Sequence, residues 1–260
     1  MSDPLVLYEQ QGAVAVITYN RSETRNAWNA QMTREVMAAV ERANGADAVG
    51  AIVITATGSI FCSGADFKAP PEPKDPETGI RPGAATIGMA HDTSWLHLLA
   101  RSKPSVVAVN GRAIGLGVTH TLAADIRIGA ESSSYSFAFL ERGTMPEFGC
   151  TALLPRFVGY GRAVDICLTA QTLTAFEARD VGLITRIAAD EDLLDEAVAI
   201  AERLASFPAL AMGLTRQMLQ ANATENDLNT MLKTERDAFV SFIKASRSAN
   251  KASTTIKPPE

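Results

Sequence analysis

One acidic side chain is singled out by its surroundings. In Gly143-Thr144-Met145-Pro146-Glu147-Phe148-Gly149 a single carboxylate has Phe139, Met145, Phe148 and Leu153 as sequence neighbours. Desolvation there would raise its pKa and suit it to carrying a proton. The local sequence alone favours a plainer reading, a glutamate at a helix start interacting with the helix dipole. Two other segments bear glycine where a strand runs into a helix, Gly64-Ala65 and Gly115-Leu116-Gly117. Such turns leave backbone N–H groups unpaired at the helix start, and those amides bind developing negative charge. Together they would form an oxyanion hole, although small residues serve close strand-to-helix packing equally well. Neither turn has GxGxxG spacing and no GK[ST] follows, so neither reads as a phosphate loop.

The remaining polar residues carry plainer readings. His91, His97 and His120 make no HExxH-type arrangement, which argues against a zinc hydrolase and leaves no metal site to assign. His120, in a helix of small residues, reads as a hydrogen-bonded core histidine. Asp66 reads as the cap of the turn that follows it, and Glu141 with Arg142 as a solvated pair. Cys62 and Cys150 have no sequence-evident base to make a thiolate and read as small buried side chains.

Elements that would position these residues follow from periodicity. Leu5 to Tyr8 and Ala13 to Tyr19 alternate around Gln11-Gly12 as a hairpin. From Asn29 to Asn44, Met32, Val36, Met37, Val40 and Ala43 recur at helical spacing, with Asn29 as N-cap. Gly50 to Thr57 is a β-branched run suited to a strand covered on both faces. Another strand begins at Ser105 and leads through the second glycine turn into a helix ending near Ala124, and Asp125 to Ile128 reads as a strand again. Strand, glycine turn and helix recur, giving an α/β fold. Residues 68–85 hold five prolines and two glycines, the composition of a loop able to cover a site. Thr174-x-x-Glu177 is a capping box, and Val181 to Ile187 resembles the final core strand. Three helical segments fill the last third, near 191–207, 208–221 and 224–249, the last with a long apolar side suited to an oligomer interface.

Composition narrows the function classes. With 24 Lys and Arg against 29 Asp and Glu in 260 residues, the net charge of -5 denies the chain the broad basic surface that nucleic acid requires. Three cysteines without a CxxC pair suit a reducing, cytoplasmic setting. No basic-then-apolar leader opens the chain, no apolar run approaches the roughly 18 residues of a membrane span, and Lys257-Pro258-Pro259-Glu260 is no peroxisomal address.

CSGADF at 62–67, VVAVNGRAIGLG at 106–117, AADIRI at 123–128 and GTMPEFGCTALLPRFVG at 143–159 occur in the order found in the enoyl-CoA hydratase/isomerase, or crotonase, superfamily. The chain resembles that family over nearly its whole length, and Asn20 to Ala27 is similar to its early CoA-binding segment. The resemblance implies a superhelix of repeated ββα units over residues 1–190, followed over 191–260 by a helical trimerisation region, as a trimer or a dimer of trimers. It implies an acyl-CoA thioester whose carbonyl is held by the backbone amides of Ala65 and Leu116, with Arg25, Ala27, Gly64, Asp66 and Gly115 among the substrate contacts. His91, Trp95, Thr119, Phe139 and Phe148 become candidates for lining the pocket. Coenzyme A enters as part of the substrate, with no separate cofactor. Lys257 is a weaker candidate for a CoA contact across a subunit boundary.

Departures from the family pattern narrow the chemistry. Hydratases place two glutamates where this chain has Thr119 and Phe139, and neither residue relays a proton as glutamate does. Glu147 instead resembles the single carboxylate of peroxisomal-type Δ3,Δ2-enoyl-CoA isomerases. That implies proton removal at C2, a dienolate in the oxyanion hole, and proton return at C4. A hydratase, a crotonase-type lyase or hydrolase using Glu147 as a nucleophile, and a non-catalytic acyl-CoA-binding protein remain as alternatives.

Overall fold

The computed structural model describes residues 4–70, 73–74 and 94–254, with side chains as far as residue 247. His91, Lys257 and most of the proline-rich stretch lie outside the described residues. The chain divides into two units, Met1–Ser206 and Phe207–Glu260.

In the first unit, β1 (Val6–Gln11) and β2 (Val14–Tyr19) form the expected antiparallel hairpin. Its turn is made at Gly12, with φ +57°. Helix α1 (Ala30–Gly45) begins on the Asn29 side chain, which accepts from the Met32 N–H at 2.8 Å, and buries Met32, Val36, Ala39, Val40 and Ala43 at helical spacing. The chain continues through β3 (Ala51–Ala56), α2 (Trp95–Arg101), β4 (Ser105–Val109), β5 (Arg112–Ile114), α3 (Leu116–Thr119) with its 3-10 extension His120–Ala123, β6 (Ile126–Ala130) and β7 (Ser134–Ser136). It closes with α4 (Cys150–Val158), α5 (Tyr160–Leu168), β8 (Thr172–Thr174), α6 (Ala175–Asp180), β9 (Arg186–Ala188) and α7 (Leu193–Ala205).

Two sheets result, ordered β1-β2-β3-β4-β6-β9 and β5-β7-β8. From β2 to β9 the larger sheet is parallel. Strand alternation divides its two faces. Ala15, Ile17, Ile52, Ile54, Val107 and Val109 enter the core that contains α1 and α2, and Val14, Val16, Ala51, Val53, Val106 and Ala108 enter a second core against α7. Both faces are therefore covered, as the continuous apolar run in β3 demands. Each repeat gives a long strand to the large sheet, then a short segment to the smaller layer. Cys62 bridges Ala113, Ala113 pairs with Tyr135, and Tyr135 pairs with Leu173. This is the α/β architecture of ββα units that the sequence implies.

Two boundaries are corrected. Helix α7 belongs to the core rather than to a separate helical region beginning near residue 191, because Leu193, Ala197, Ile200 and Ala201 cover one face of the sheet. The final core strand is confined to Arg186–Ala188. Residues 181–185 turn instead, with Gly182 at φ +86° and so close to the Phe157 carbonyl that a Cβ would lie 2.9 Å from its oxygen. The capping box at Thr174 and Glu177 is present as expected.

The second unit consists of α8 (Ala209–Asn222) and α9 (Leu228–Thr254). Between them lies a groove of about 620 Å³ lined in part by Leu214, Met218, Leu232, Phe239 and Phe242. Leu219, Leu228, Leu232 and Phe239 are all more than half exposed. Among the described residues no single helix is long and apolar enough to cross a membrane.

Candidate active site

Both glycine turns expose one amide each, for the same geometric reason. The Gly64 carbonyl accepts from the Trp28 N–H at 2.8 Å, and the Asp66 N–H donates to the Trp28 carbonyl at 2.8 Å. In a trans peptide the N–H points opposite the carbonyl, so the Ala65 N–H faces away from Trp28. Likewise the Gly115 carbonyl accepts from the N–H groups of Val118 and Thr119 at 2.9 and 3.1 Å. The Leu116 N–H, first in α3, therefore points out of the helix start. Among the described residues neither amide has a hydrogen-bond acceptor. The resemblance assigns its carbonyl donors to these same two residues.

The two turns interlock. The Ile114 N–H donates to the Cys62 carbonyl at 2.9 Å. A Cβ on Gly64 would lie 2.9 Å from the Ile114 oxygen, and one on Gly117 would lie 2.4 Å from the Cys62 oxygen. Close packing and amide exposure, alternatives in the sequence, are one arrangement. Gly117→Ala is expected to push the Cys62 turn away, at a cost of about 1–3 kcal/mol from overpacking, and to weaken acyl-thioester binding. Urea unfolding and calorimetric titration with an acyl-CoA measure the two losses.

Glu147 lies between the 3-10 turn Leu140–Arg142 and α4. Two successive left-handed residues, Phe148 (φ +54°) and Gly149 (φ +68°), join it to the helix. A buried phenyl ring anchors the first, and the second packs so closely that a Cβ would lie 2.9 Å from Leu96 Cδ1. A non-glycine residue held in this region marks a site determined by its surroundings. The Glu147 carboxylate is partly buried, and burial raises its pKa above the ordinary 4.5. Among the described residues no counter-charge offsets this.

The other candidates are sorted by burial. Phe139 is buried beside the second turn, its ring 3.7 Å from where a Gly115 Cβ would stand. Thr119 is fully buried, and among the described residues its Oγ1 has no hydrogen-bond partner. Trp95 and Phe148 are core residues, and the Trp95 indole N–H donates to the His120 carbonyl at 2.7 Å. Asp66 is occupied internally: one oxygen takes an Arg21 ion pair at 3.1 Å and the other accepts from the Lys68 N–H at 3.0 Å. The turn-capping reading accounts for the Asp66 side chain. Arg25 is exposed, while the Ala27 carbonyl accepts from the Arg21 guanidinium.

Sequence reasoning missed Asn26 and Arg21. Asn26 is fully buried at φ +52° and accepts from the Arg21 N–H, while its amide donates to the carbonyls of Thr57 and Ile60 at 2.9 and 2.8 Å. It ties the segment carrying Arg25 to the loop that carries Ala65. The available signal was an asparagine in a turn, a residue type that tolerates the left-handed region.

His120 is the buried core histidine its neighbours suggested, and it touches the rings of Tyr19, Trp28, Phe61 and Trp95. Burial lowers its pKa from 6.5 to about 4, against a smaller opposing effect of the Leu116 backbone. Since the unfolded chain takes up this proton near 6.5, the contribution is complete above that pH and is lost as pH falls toward 4. A shift of this size corresponds to about 3 kcal/mol. Urea midpoints should therefore drop between pH 7 and pH 4.5, with a shallower drop in His120→Asn. The Cys62 thiol is pushed up to about 12 by burial, and that of Cys150 is raised mainly by its hydrogen bond with Cys167. Neither offers a thiolate at neutral pH. Among the described residues no group of three His, Cys, Asp or Glu side chains comes together to hold a metal ion.

Comparison with known proteins gives consistent matches. The family model for enoyl-CoA hydratase/isomerase matches residues 9–255. The 1,2-epoxyphenylacetyl-CoA isomerase of Escherichia coli (strain K12) is 34% identical over 236 residues, covering 89% of this chain and 87% of the relative. A probable enoyl-CoA hydratase of Rhizobium meliloti (strain 1021) is 34% identical over 242 residues, covering 93% and 91%. Among solved structures, a putative enoyl-CoA hydratase from Thermobifida fusca YX in complex with acetoacetyl-CoA superposes with a TM-score of 0.79 at 30% identity, covering 93% of this chain and 95% of that one.

Proposed function

The chain belongs to the enoyl-CoA hydratase/isomerase family, and from that premise we propose that it is a Δ3,Δ2-enoyl-CoA isomerase. The observation that carries the reading is a single partly buried carboxylate of raised pKa, Glu147, together with Thr119 and Phe139 at the positions of the hydratase pair. In this mechanism the thioester carbonyl accepts from the Ala65 and Leu116 N–H groups. Glu147 takes a proton from C2 of a 3-enoyl-CoA, and the electron pair delocalises into a dienolate whose oxygen the two amides stabilise. The same carboxyl returns the proton at C4, leaving the 2-enoyl thioester. The reaction is redox-neutral and exchanges no atom with water beyond protons.

The test is a panel of 2-enoyl and 3-enoyl thioesters followed by mass spectrometry with the double bond located. Migration at constant mass supports the reading, added water indicates a hydratase, and free CoA indicates hydrolysis. Binding with no C2 exchange in deuterated water indicates a non-catalytic acyl-CoA-binding protein. A second reading is isomerisation of an oxygen-bearing acyl group, the chemistry in the name of the E. coli relative. It draws support from Thr119 Oγ1, which has no partner among the described residues and is a hydroxyl able to hydrogen-bond such an oxygen.

For assembly and setting, a trimer or dimer of trimers is proposed through the exposed apolar residues of α8 and α9. A reducing cytoplasm accords with three free cysteines. Replacing Phe239 and Leu232 together by aspartate should lower the molecular mass seen by light scattering. An unchanged mass would place the interface elsewhere.

A further inference from the structure

Tyr19 and His120 stand 101 residues apart in sequence and meet in the core. The Tyr19 hydroxyl lies 2.8 Å from His120 Nε2, and His120 Nδ1 lies 2.8 Å from the Leu116 carbonyl oxygen. A carbonyl only accepts, so Nδ1 carries the proton. In the neutral ring Nε2 is then the acceptor, and the tyrosine donates to it. The hydrogen bonds run in one direction, from Tyr19 O–H to His120 and from His120 N–H to Leu116. Leu116 is also the residue whose own N–H leaves the start of α3. On the other side, the backbone of Trp28 holds the peptide groups flanking Ala65, through the Gly64 carbonyl and the Asp66 N–H. The Trp28 and His120 rings are in contact, with centroids 4.6 Å apart, and Phe61 stacks on the imidazole at 5.7 Å and 7°.

We infer that the buried Tyr19–His120 pair is a positioning device for the oxyanion hole, fixing the Leu116 donor relative to Trp28, which fixes the Ala65 donor. The inference rests on the acyl-CoA reading above, but not on which reaction follows binding. Neither side chain is a catalytic residue. The pair sets where one amide stands relative to the other, and a small misplacement of such a donor is felt chiefly in the transition state.

The experiment compares wild type, Tyr19→Phe, His120→Leu and His120→Asn, each checked for folding by near-ultraviolet circular dichroism. The probe is butyryl-CoA carrying 13C at the thioester carbonyl, and the readout is the shift of its C=O stretch on binding, with kcat and KM measured separately. His120→Leu should lose most of the shift and lower kcat by about 10- to 100-fold with KM nearly unchanged. Asparagine, whose amide nitrogen stands near the place of Nδ1, should restore most of both. Tyr19→Phe should fall between the two. A folded His120→Leu with the wild-type carbonyl shift would overturn the inference. Where His120→Leu does not fold, an unchanged shift in Tyr19→Phe overturns it, and a reduced one supports it. Because butyryl-CoA has no double bond to move, the stretch tests the pair independently of turnover. A wild-type enzyme that polarises the carbonyl but moves no double bond would remove the isomerase reading alone.

Discussion

Glu147→Gln should reduce the conversion of 3-enoyl to 2-enoyl thioesters by about 10²- to 10⁴-fold, the range for a lost general acid–base group, while acyl-CoA affinity changes little. Glutamine keeps the shape of the side chain and cannot accept the proton from C2. The wild-type pH profile should carry the same signature. In the proposed mechanism the carboxylate form is the base, and its pKa is raised, so kcat/KM should fall as pH drops through a value above 4.5. Stability runs the other way. A carboxyl whose folded pKa is raised stabilises the fold while it is protonated, and that contribution is lost as pH rises from 4.5 through the folded pKa. The amide variant, neutral throughout, should therefore be at least as stable as wild type at pH 7. Normal isomerisation by a folded Glu147→Gln protein would end the assignment.

Leu116→Pro should cost about 10²–10³ in kcat, equivalent to roughly 2.7–4 kcal/mol for one lost oxyanion donor. The position suits this test. Leu116 is the first residue of α3, where proline is tolerated because its missing N–H has no partner within the helix. The preceding Gly115 has the conformational freedom that a residue before proline needs. Leu116→Ala provides the control, because it removes the buried side chain and keeps the amide. Steady-state kinetics should show the proline variant far below the alanine variant, with similar urea midpoints. Equal kcat values in the two would show that the Leu116 N–H has no part in the reaction.

Legibility in the sequence followed the range of the interactions. The hairpin, α1 with its Asn29 cap, β3 and the Thr174–Glu177 box are local patterns of period and capping, and each stands close to where it was expected. The exposed amides at Ala65 and Leu116 were also within reach, because glycine at a strand-to-helix turn is a local signal. What escaped depended on distant partners. Nothing near Tyr19 announces His120, and nothing near Arg21 announces Asp66, 45 residues away. Helix α7 has the same amphipathic pattern as a peripheral helix, and only the alternation of β2, β3 and β4 around it shows which surface it covers. Trp95, a candidate for the pocket wall, instead gives its indole N–H to His120 within the core, a pairing that spans 25 residues.

The two tryptophans of the chain, Trp28 and Trp95, stand 6.4 Å apart and both touch His120. All indole fluorescence therefore originates beside the two glycine turns, and none from Phe207–Glu260. Emission is a local optical gauge of that site, responsive to protonation of the imidazole and to loosening of the two turns. Melting of α8 and α9 would register as lost helical ellipticity. A protein whose far-ultraviolet and fluorescence transitions separate on heating would be reporting its two units one at a time.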